Sequence, residues 1–312
     1  VALVQRLINI NFTLSNGSFA GSGSNSLTLS GLRVHADMHF PGGSDMNTLQ
    51  AEVYGMTLSH MNDLMTYGAI PLNTGKNMVT VLAGDAMSGM NQVFKGNVVN
   101  AWGDFQGMPD VPFHVFGSGP MNAAVATVPP TTKKGAVSAT TLMENLANQI
   151  GMQFENNGVT TQLSNPYYPG TAREQLLALV RDSGCEWNGM ENDVVSVWPV
   201  GSSRAGGSGA IPVNKDTGMV GYPMFNAQGV VVKVLYNPQI KYGTEIQVTS
   251  DLTGSTTSGN VTVGGGTSGA NGTWTVQSID YALDSLVPNG QWFMTLFGSV
   301  KGYVPIAPGV ED

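Results

Sequence analysis

Apolar positions recur along this chain at two different periods. In the middle, Ala139, Leu142, Met143, Leu146, Ala147 and Ile150 keep the i, i+3, i+4, i+7 spacing of one helical face. Ser138 stands where an N-cap belongs and Gly151 where a helix stops. A second helical stripe follows in Ala172, Leu176, Leu179 and Val180, opened by Thr171 and Glu174 at capping-box spacing and ended by Gly184. Short β signals lie at 152–154, 185–187 and 194–198, the last two joined by a polar hairpin loop over 188–193. Residues 138–199 therefore predict a small α+β unit, and at roughly 60 residues it can barely bury a core alone and is expected to lean on its neighbours.

On either side the period drops to two. Leu27, Leu29, Leu32, Val34, Ala36 and Met38 alternate with a kink at Ser30-Gly31, and strands are expected at 49–54, 77–82, 92–105 (bent near Gly96) and 111–116. Leu58, Met61, Leu64 and Met65 predict one short helix between Thr57 and Gly68, plugging a closed or nearly closed antiparallel sheet. The apolar first ten residues read as an N-terminal strand, since they lack the basic start and cleavage site of a signal peptide. Beyond residue 217 alternation returns at 229–236, 240–250, 274–283 and 291–297, with 254–272 read as a long loop.

Each β region finishes in the same way, with a long strand, a polar turn and a strand ending in Phe116-Gly117-Ser118 or Phe297-Gly298-Ser299. The expected fold is mainly β with an α+β insert: two related β-barrel domains, 1–119 and 217–312, flanking the two-helix unit. A proline-containing linker or arm at 120–137 and a Gly/Ser linker at 200–216 connect them.

Composition narrows the function. Charged residues are 11% of the 312, against about 25% in ordinary soluble domains. Such a neutral exterior points to surfaces buried in an assembly. The net charge of −8 and a longest basic run of only Lys133-Lys134 leave little for phosphate binding. A single cysteine, Cys185, excludes a disulfide framework and multi-cysteine metal sites, and reads as a buried small hydrophobe. No apolar run reaches the 18 residues of a membrane span.

Candidate chemistry could come from four histidines, the carboxylates and the glycine-rich loops. His35 and His39 share one strand face, but Asp37, the one nearby third ligand, is assigned to the opposite face, so the pair reads as solvated and not as a metal site. His60 and His114 read as structural. Asp104, Asp110, Glu174, Asp182, Glu186 and Asp193 offer many pairs and no preferred one for glycosidase chemistry. Neither 201–209 nor Thr74-Gly75-Lys76 has the ending and following helix of a phosphate loop. The tryptophans 102, 187, 198, 274 and 292 read as core packing, and the sixteen methionines suit gap filling or adaptable interfaces. No catalytic, cofactor-binding or metal residue is assigned, and no cofactor is expected.

The run as a whole resembles a known family. Leu29-Ser-Gly-Leu-Arg33, Ala51-Glu-Val-Tyr-Gly-Met-Thr-Leu-Ser59, Asn165-Pro-Tyr-Tyr-Pro-Gly-Thr-Ala-Arg173, Gly218-Met-Val-Gly-Tyr-Pro223 and Asn237-Pro-Gln-Ile240 carry a resemblance to the baseplate hub proteins of tailed bacteriophages, the family that also supplies the tube-like base of contractile injection spikes. These are turn and strand signatures, not catalytic ones. The resemblance implies a structural, non-enzymatic virion protein of the tail baseplate, assembled in the bacterial host cytoplasm as a homotrimeric ring. Three subunits with two similar barrels each would adapt a sixfold tail tube protein to a threefold central spike protein, among other baseplate proteins. Genomic DNA would pass through the channel without specific binding, and no stable membrane insertion is implied. Since the chain lacks an appended lysozyme or needle domain, wall-degrading or piercing activity is expected of a partner. The rival readings are a β-rich carbohydrate-active enzyme and an adhesin or receptor-binding tail protein.

Overall fold

Most of the alternating stretches pair as strands, but the strand expected over 240–250 forms only at Glu245–Val248, with a turn before it. The computed structural model describes residues 5–65, 76–85, 87–204, 209–226, 229–257, 260–264 and 269–300, with the backbone alone for residue 226 and residues 253–264. The expected helix stop at Gly68, the Thr74-Gly75 pair and parts of the 201–209 linker and the 254–272 loop lie outside the described residues.

The first β region comprises β1 (Arg6–Thr13), β2 (Ser26–Leu29), β3 (Val34–Phe40), β4 (Thr48–Tyr54), β5 (Met78–Asp85), β6 (Gly89–Gly103) and β7 (Pro112–Ser118). They pair in the order β2-β1-β5-β6-β7-β4-β3. Ile8, Ile10 and Phe12 of β1 are buried, so the N-terminal strand is present as expected. Helix α1 (Leu58–Leu64) buries Met61 and Leu64, and Thr57 caps it by accepting from the His60 N–H. The ring of His60 meets that of Phe19 edge to face.

The segment 119–200 builds the α+β unit. Its elements are α2 (Met121–Ala124), β8 (Thr131–Thr132), β9 (Ala136–Ser138), α3 (Ala139–Gln149), β10 (Gln153–Asn156), β11 (Gln162–Ser164), β12 (Tyr167–Tyr168), α4 (Ala172–Ser183), β13 (Cys185–Trp187) and β14 (Val194–Pro199). The stripes of α3 and α4 face β10-β14-β13 across a separate core that includes Leu142, Leu146, Leu176, Leu179, Trp187 and Val197. The Thr171/Glu174 capping box forms as its spacing predicts. Ser138 is the N-cap of α3 by backbone, yet its hydroxyl bonds the Thr140 hydroxyl rather than a backbone N–H of the first turn. The stretch read as a loose arm is docked: β8 pairs with β12, β9 with β11, and the buried Gln175 side chain accepts from the Thr131 N–H and donates to the Pro129 carbonyl.

The second β region holds β15 (Ile211–Val213), β16 (Met224–Asn226), β17 (Gly229–Leu235), β18 (Glu245–Val248), β19 (Thr253–Thr257), β20 (Asn260–Gly264), β21 (Gly272–Ser285) and β22 (Trp292–Ser299). Part of the stretch expected as loop is thus the β19–β20 hairpin, which extends the sheet beyond β16.

The two β regions are not separate bodies. β3 pairs antiparallel with β21 from Val34↔Ser285 to Phe40↔Ile279, merging both into one 15-stranded sheet over a shared core. Their terminal hairpins also match in detail. Along β6–β7 the register runs Asn97↔Ser118 and Val98↔Gly117, skips Val99, and resumes at Asn100↔Phe116. Along β21–β22 it runs Thr275↔Ser299 and Val276↔Gly298, skips Gln277, and resumes at Ser278↔Phe297. One extra residue sits opposite the same Phe-Gly step in both hairpins, as in a β-bulge. The two hairpins thus share one register around the Phe-Gly step, which agrees with the repeat that Phe-Gly-Ser suggests.

Candidate functional site: the polar face of the joined sheet

Because side chains alternate across a strand, burying Ala36, Met38 and Phe40 of β3 sends His35, Asp37 and His39 to the opposite face together. The expected placement of Asp37 away from the two histidines is therefore a parity error: positions 35, 37 and 39 share one side. The same logic aims Gln50 and Glu52 of β4, His114 of β7, Trp102 of β6, Asp280 and Asp284 of β21, Thr295 of β22 and Lys233 of β17 to this side. All of them but Asp284 line two adjoining clefts of about 400 and 490 Å³ that run over β6, β7, β4, β3, β21, β22 and β17.

At the junction, register places His39 opposite Asp280 and His35 opposite Asp284. Both pairs close: His39 Nδ1 lies 2.5 Å from Asp280 Oδ1, and His35 Nδ1 lies 2.6 Å from Asp284 Oδ1. His35 Nε2 also reaches Asp37 Oδ2 at 3.1 Å, so one imidazole bridges two carboxylates. The hydrogen bond to Asp37, then that to Asp284, outweigh partial burial and raise the His35 pKa to about 9. The ring is an imidazolium at neutral pH, and it offsets the repulsion between the two carboxylates. Two strands away, His114 Nδ1 lies 3.6 Å from Glu52 Oε1, and its ring stacks on Trp102 with centroids 5.0 Å apart.

This arrangement pairs histidines with carboxylates along the strand junction. The candidate carboxylates are each engaged elsewhere. Asp104 caps a short turn through the Gln106 N–H, Asp110 pairs with Arg33, and Glu174 closes the capping box. Asp182 accepts from the Tyr168 hydroxyl, Glu186 from the Trp198 indole N–H at 2.7 Å, and Asp193 from the Lys95 ammonium. Among the described residues no group of three His, Cys, Asp or Glu side chains could hold a metal ion. Cys185 is buried, and burial pushes its thiol pKa up, away from reactive thiolate. Trp187, Trp198, Trp274 and Trp292 are core residues as expected, whereas Trp102 is 44% exposed on the polar face.

A second polar cluster ties the α+β unit to the sheet. Arg204 is buried between Glu191 (3.3 Å) and Glu155 (3.5 Å), while its N–H donates to the Gly243 carbonyl. Burial pushes the Glu191 carboxyl up and Arg204 opposes that shift. Beside it the fully buried Trp198 packs on Tyr242. Nothing in the sequence singles out Arg204, because it lies in a Gly/Ser-rich stretch that signals a flexible linker.

Known structures share this architecture. The tail protein of Neisseria meningitidis MC58 superposes with a TM-score of 0.60 at 8% identity, over 96% of this chain and 97% of that one. The 43 kDa tail protein of prophage MuSo2 from Shewanella oneidensis gives 0.52 at 10% identity, covering 94% and 98%. The Escherichia coli c3393 protein, described as a type VI secretion system component similar to T4 bacteriophage tail proteins gp27 and gp5, gives 0.54 at 9% identity, covering 88% and 76%. At these identities the likeness establishes the fold, that of phage tail proteins. A comparison with curated protein sequences finds no match. The family model for baseplate hub gp41 matches residues 7–294, and the chain belongs to that family. It is thus a structural component of the tail baseplate.

Proposed function

We propose that the chain is the hub of its baseplate: a homotrimeric ring whose three copies adapt the sixfold tail tube to a threefold central spike and leave a channel for DNA. The observation that carries this reading is the duplicated bulged hairpin in a chain of the baseplate hub family. Two related β regions per chain make six around a threefold axis, which is what mating two symmetries requires. The low charge of the chain suits surfaces that are covered on assembly.

The polar face is the surface assigned to the channel. The residues lining its two clefts include Asp37, Glu52 and Asp280 against one lysine, Lys233, so a passing polyanion finds little to hold it even with His35 protonated. The role is non-enzymatic, in keeping with carboxylates that are engaged in caps, pairs and buried hydrogen bonds. Tube, spike and the other baseplate proteins are its partners, and assembly takes place in the host cytoplasm. Light scattering on the chain alone and with the spike protein tests the reading. A threefold mass in either condition is expected, and a single-copy mass of 32.7 kDa in both overturns it.

A further inference from the structure

Five asparagines precede a glycine in this chain: Asn16, Asn157, Asn188, Asn271 and Asn289. An Asn-Gly step is chemically weak, because glycine has no side chain to keep the neighbouring amide carbon away from its nitrogen. The fold guards four of the five. Asn188 is buried, and its side chain donates to the Val194 carbonyl and accepts from the Ser196 N–H. Asn157 donates to Glu155 Oε1 at 2.9 Å and to Ser196 Oγ at 3.1 Å, while the Gly158 N–H donates to Asn156. Asn271 is held by the N–H and the carbonyl of Ser250. Asn289 is exposed, but the Gly290 N–H donates to the Val287 carbonyl and the Gly290 carbonyl accepts from Arg6. Asn16 lies exposed in the connection from β1 to β2. Among the described residues neither its side chain nor the Gly17 N–H has a hydrogen-bond partner, and a Cβ added at Gly17 would meet nothing within 4 Å.

We propose that Asn16 is a site of spontaneous deamidation, the one Asn-Gly step of the five that the folded chain leaves open to it. The Gly17 nitrogen attacks Asn16 Cγ, so a C–N bond forms and closes a succinimide ring. The bond from Cγ to the side-chain nitrogen breaks, and that nitrogen leaves as ammonia, its third hydrogen being the former Gly17 amide proton. Water then opens the ring at either carbonyl, which gives aspartate or β-linked isoaspartate. No oxidant or reductant takes part. The β-linked product adds one carbon to the main chain between two fixed points. Upstream, the Ser15 N–H and hydroxyl both donate to Asn77 Oδ1. Downstream, Phe19 is buried with its ring edge to face against His60, and the Ala20 N–H donates to Asp63 Oδ2 at 2.9 Å. His60 and Asp63 belong to α1, so the conversion slackens the tie between the β1–β2 hairpin and that helix.

The test keeps the unaltered chain in mildly alkaline buffer, folded and, in parallel, unfolded in guanidinium chloride, and follows its peptides by mass spectrometry. Unfolded, all five asparagines are expected to convert at similar rates. Folded, Asn16 is expected to keep its rate while the other four slow at least about tenfold, since an open loop needs no unfolding and a held group must first break its contacts. A folded chain in which Asn16 slows as much as the others, or in which another of them converts first, overturns the site. Hydrogen exchange over 58–64 reads the consequence. It is expected to quicken in chains carrying isoaspartate at position 16 and to stay at the wild-type rate in Asn16→Asp, which adds the charge without the extra carbon. Equal exchange in the two overturns the slackened tie and leaves the deamidation site standing.

Discussion

His35 is held between two carboxylates at the strand pair that joins the β regions, so its titration should report on that junction. Its pKa stands at about 9 against 6.5 for a free imidazole. The groups facing it are Asp37 and His39 on β3, Asp284 and Asp280 on β21, Glu52 on β4 and His114 on β7, with Lys233 farther along the same face. A group whose pKa is raised by folding stabilises the native state fully below its unfolded pKa, and the contribution fades as pH climbs through the folded one. The loss should therefore fall between pH 6.5 and just above pH 9. Taken at ~1.4 kcal/mol per unit, the shift sets a ceiling near 3.5 kcal/mol, and since the ring is about a third exposed, screening reduces this to about 1–2 kcal/mol. Urea unfolding of the wild type and His35→Gln at half-unit steps from pH 6 to 10 isolates the effect, because tyrosine, lysine and cysteine titrations are common to both. The wild type should lose about 1–2 kcal/mol more than the variant across this window. Parallel curves would refute the argument, as would a gap that widens toward high pH.

Two further substitutions probe how the three parts are held together. Arg204→Met strands the buried Glu191 carboxylate without its cation and should cost about 3–5 kcal/mol in urea unfolding, whereas adding Glu191→Leu should recover most of it; a double variant no better than the single one would rule out the buried-charge account. Gly243 has φ +81 and a Cβ added there would lie 2.5 Å from the buried Trp198 ring, so Gly243→Ala should cost at least ~2 kcal/mol. Gly221→Ala, at φ +74 with open space around it, should cost only about 1 kcal/mol, and equal losses would show that packing against Trp198 is irrelevant.

What is legible in the sequence is whatever depends on neighbours a few positions away. The stripes of α3 and α4, the capping box at Thr171 and the alternation of β3 and β4 are local, and each appears in the structure where its period puts it. Alternation says which residues share a face, and the placement of Asp37 fails only through a miscount of that parity. It says nothing about which strand lies alongside. The partner of β3 is a strand about 240 positions later in the chain, and no local signal marks that choice. His35 and His39 stand out as residues, yet their surroundings depend on β21. Arg204 and the β19–β20 hairpin escape a sequence reading for a related reason: small polar residues read as loop until a distant strand or carboxylate gives them a partner.

The repeat and the junction together explain why one chain would carry both β regions. A sheet end left bare invites any other edge, and proteins blunt such ends or cover them. Here β3 covers β21, so the copy of the fold that comes first in the sequence protects the one that comes last. Fusing them fixes that contact within every chain. In the proposed ring, a chain with two repeats would need half as many contacts between chains as one with a single repeat. The junction inside the chain carries histidine–aspartate pairs, whereas Trp102, at the position that corresponds to Asp280 in the other hairpin, is an exposed aromatic side chain. In the proposed ring, two related β regions per chain would let three identical chains present six similar walls to one neighbour and three faces to another.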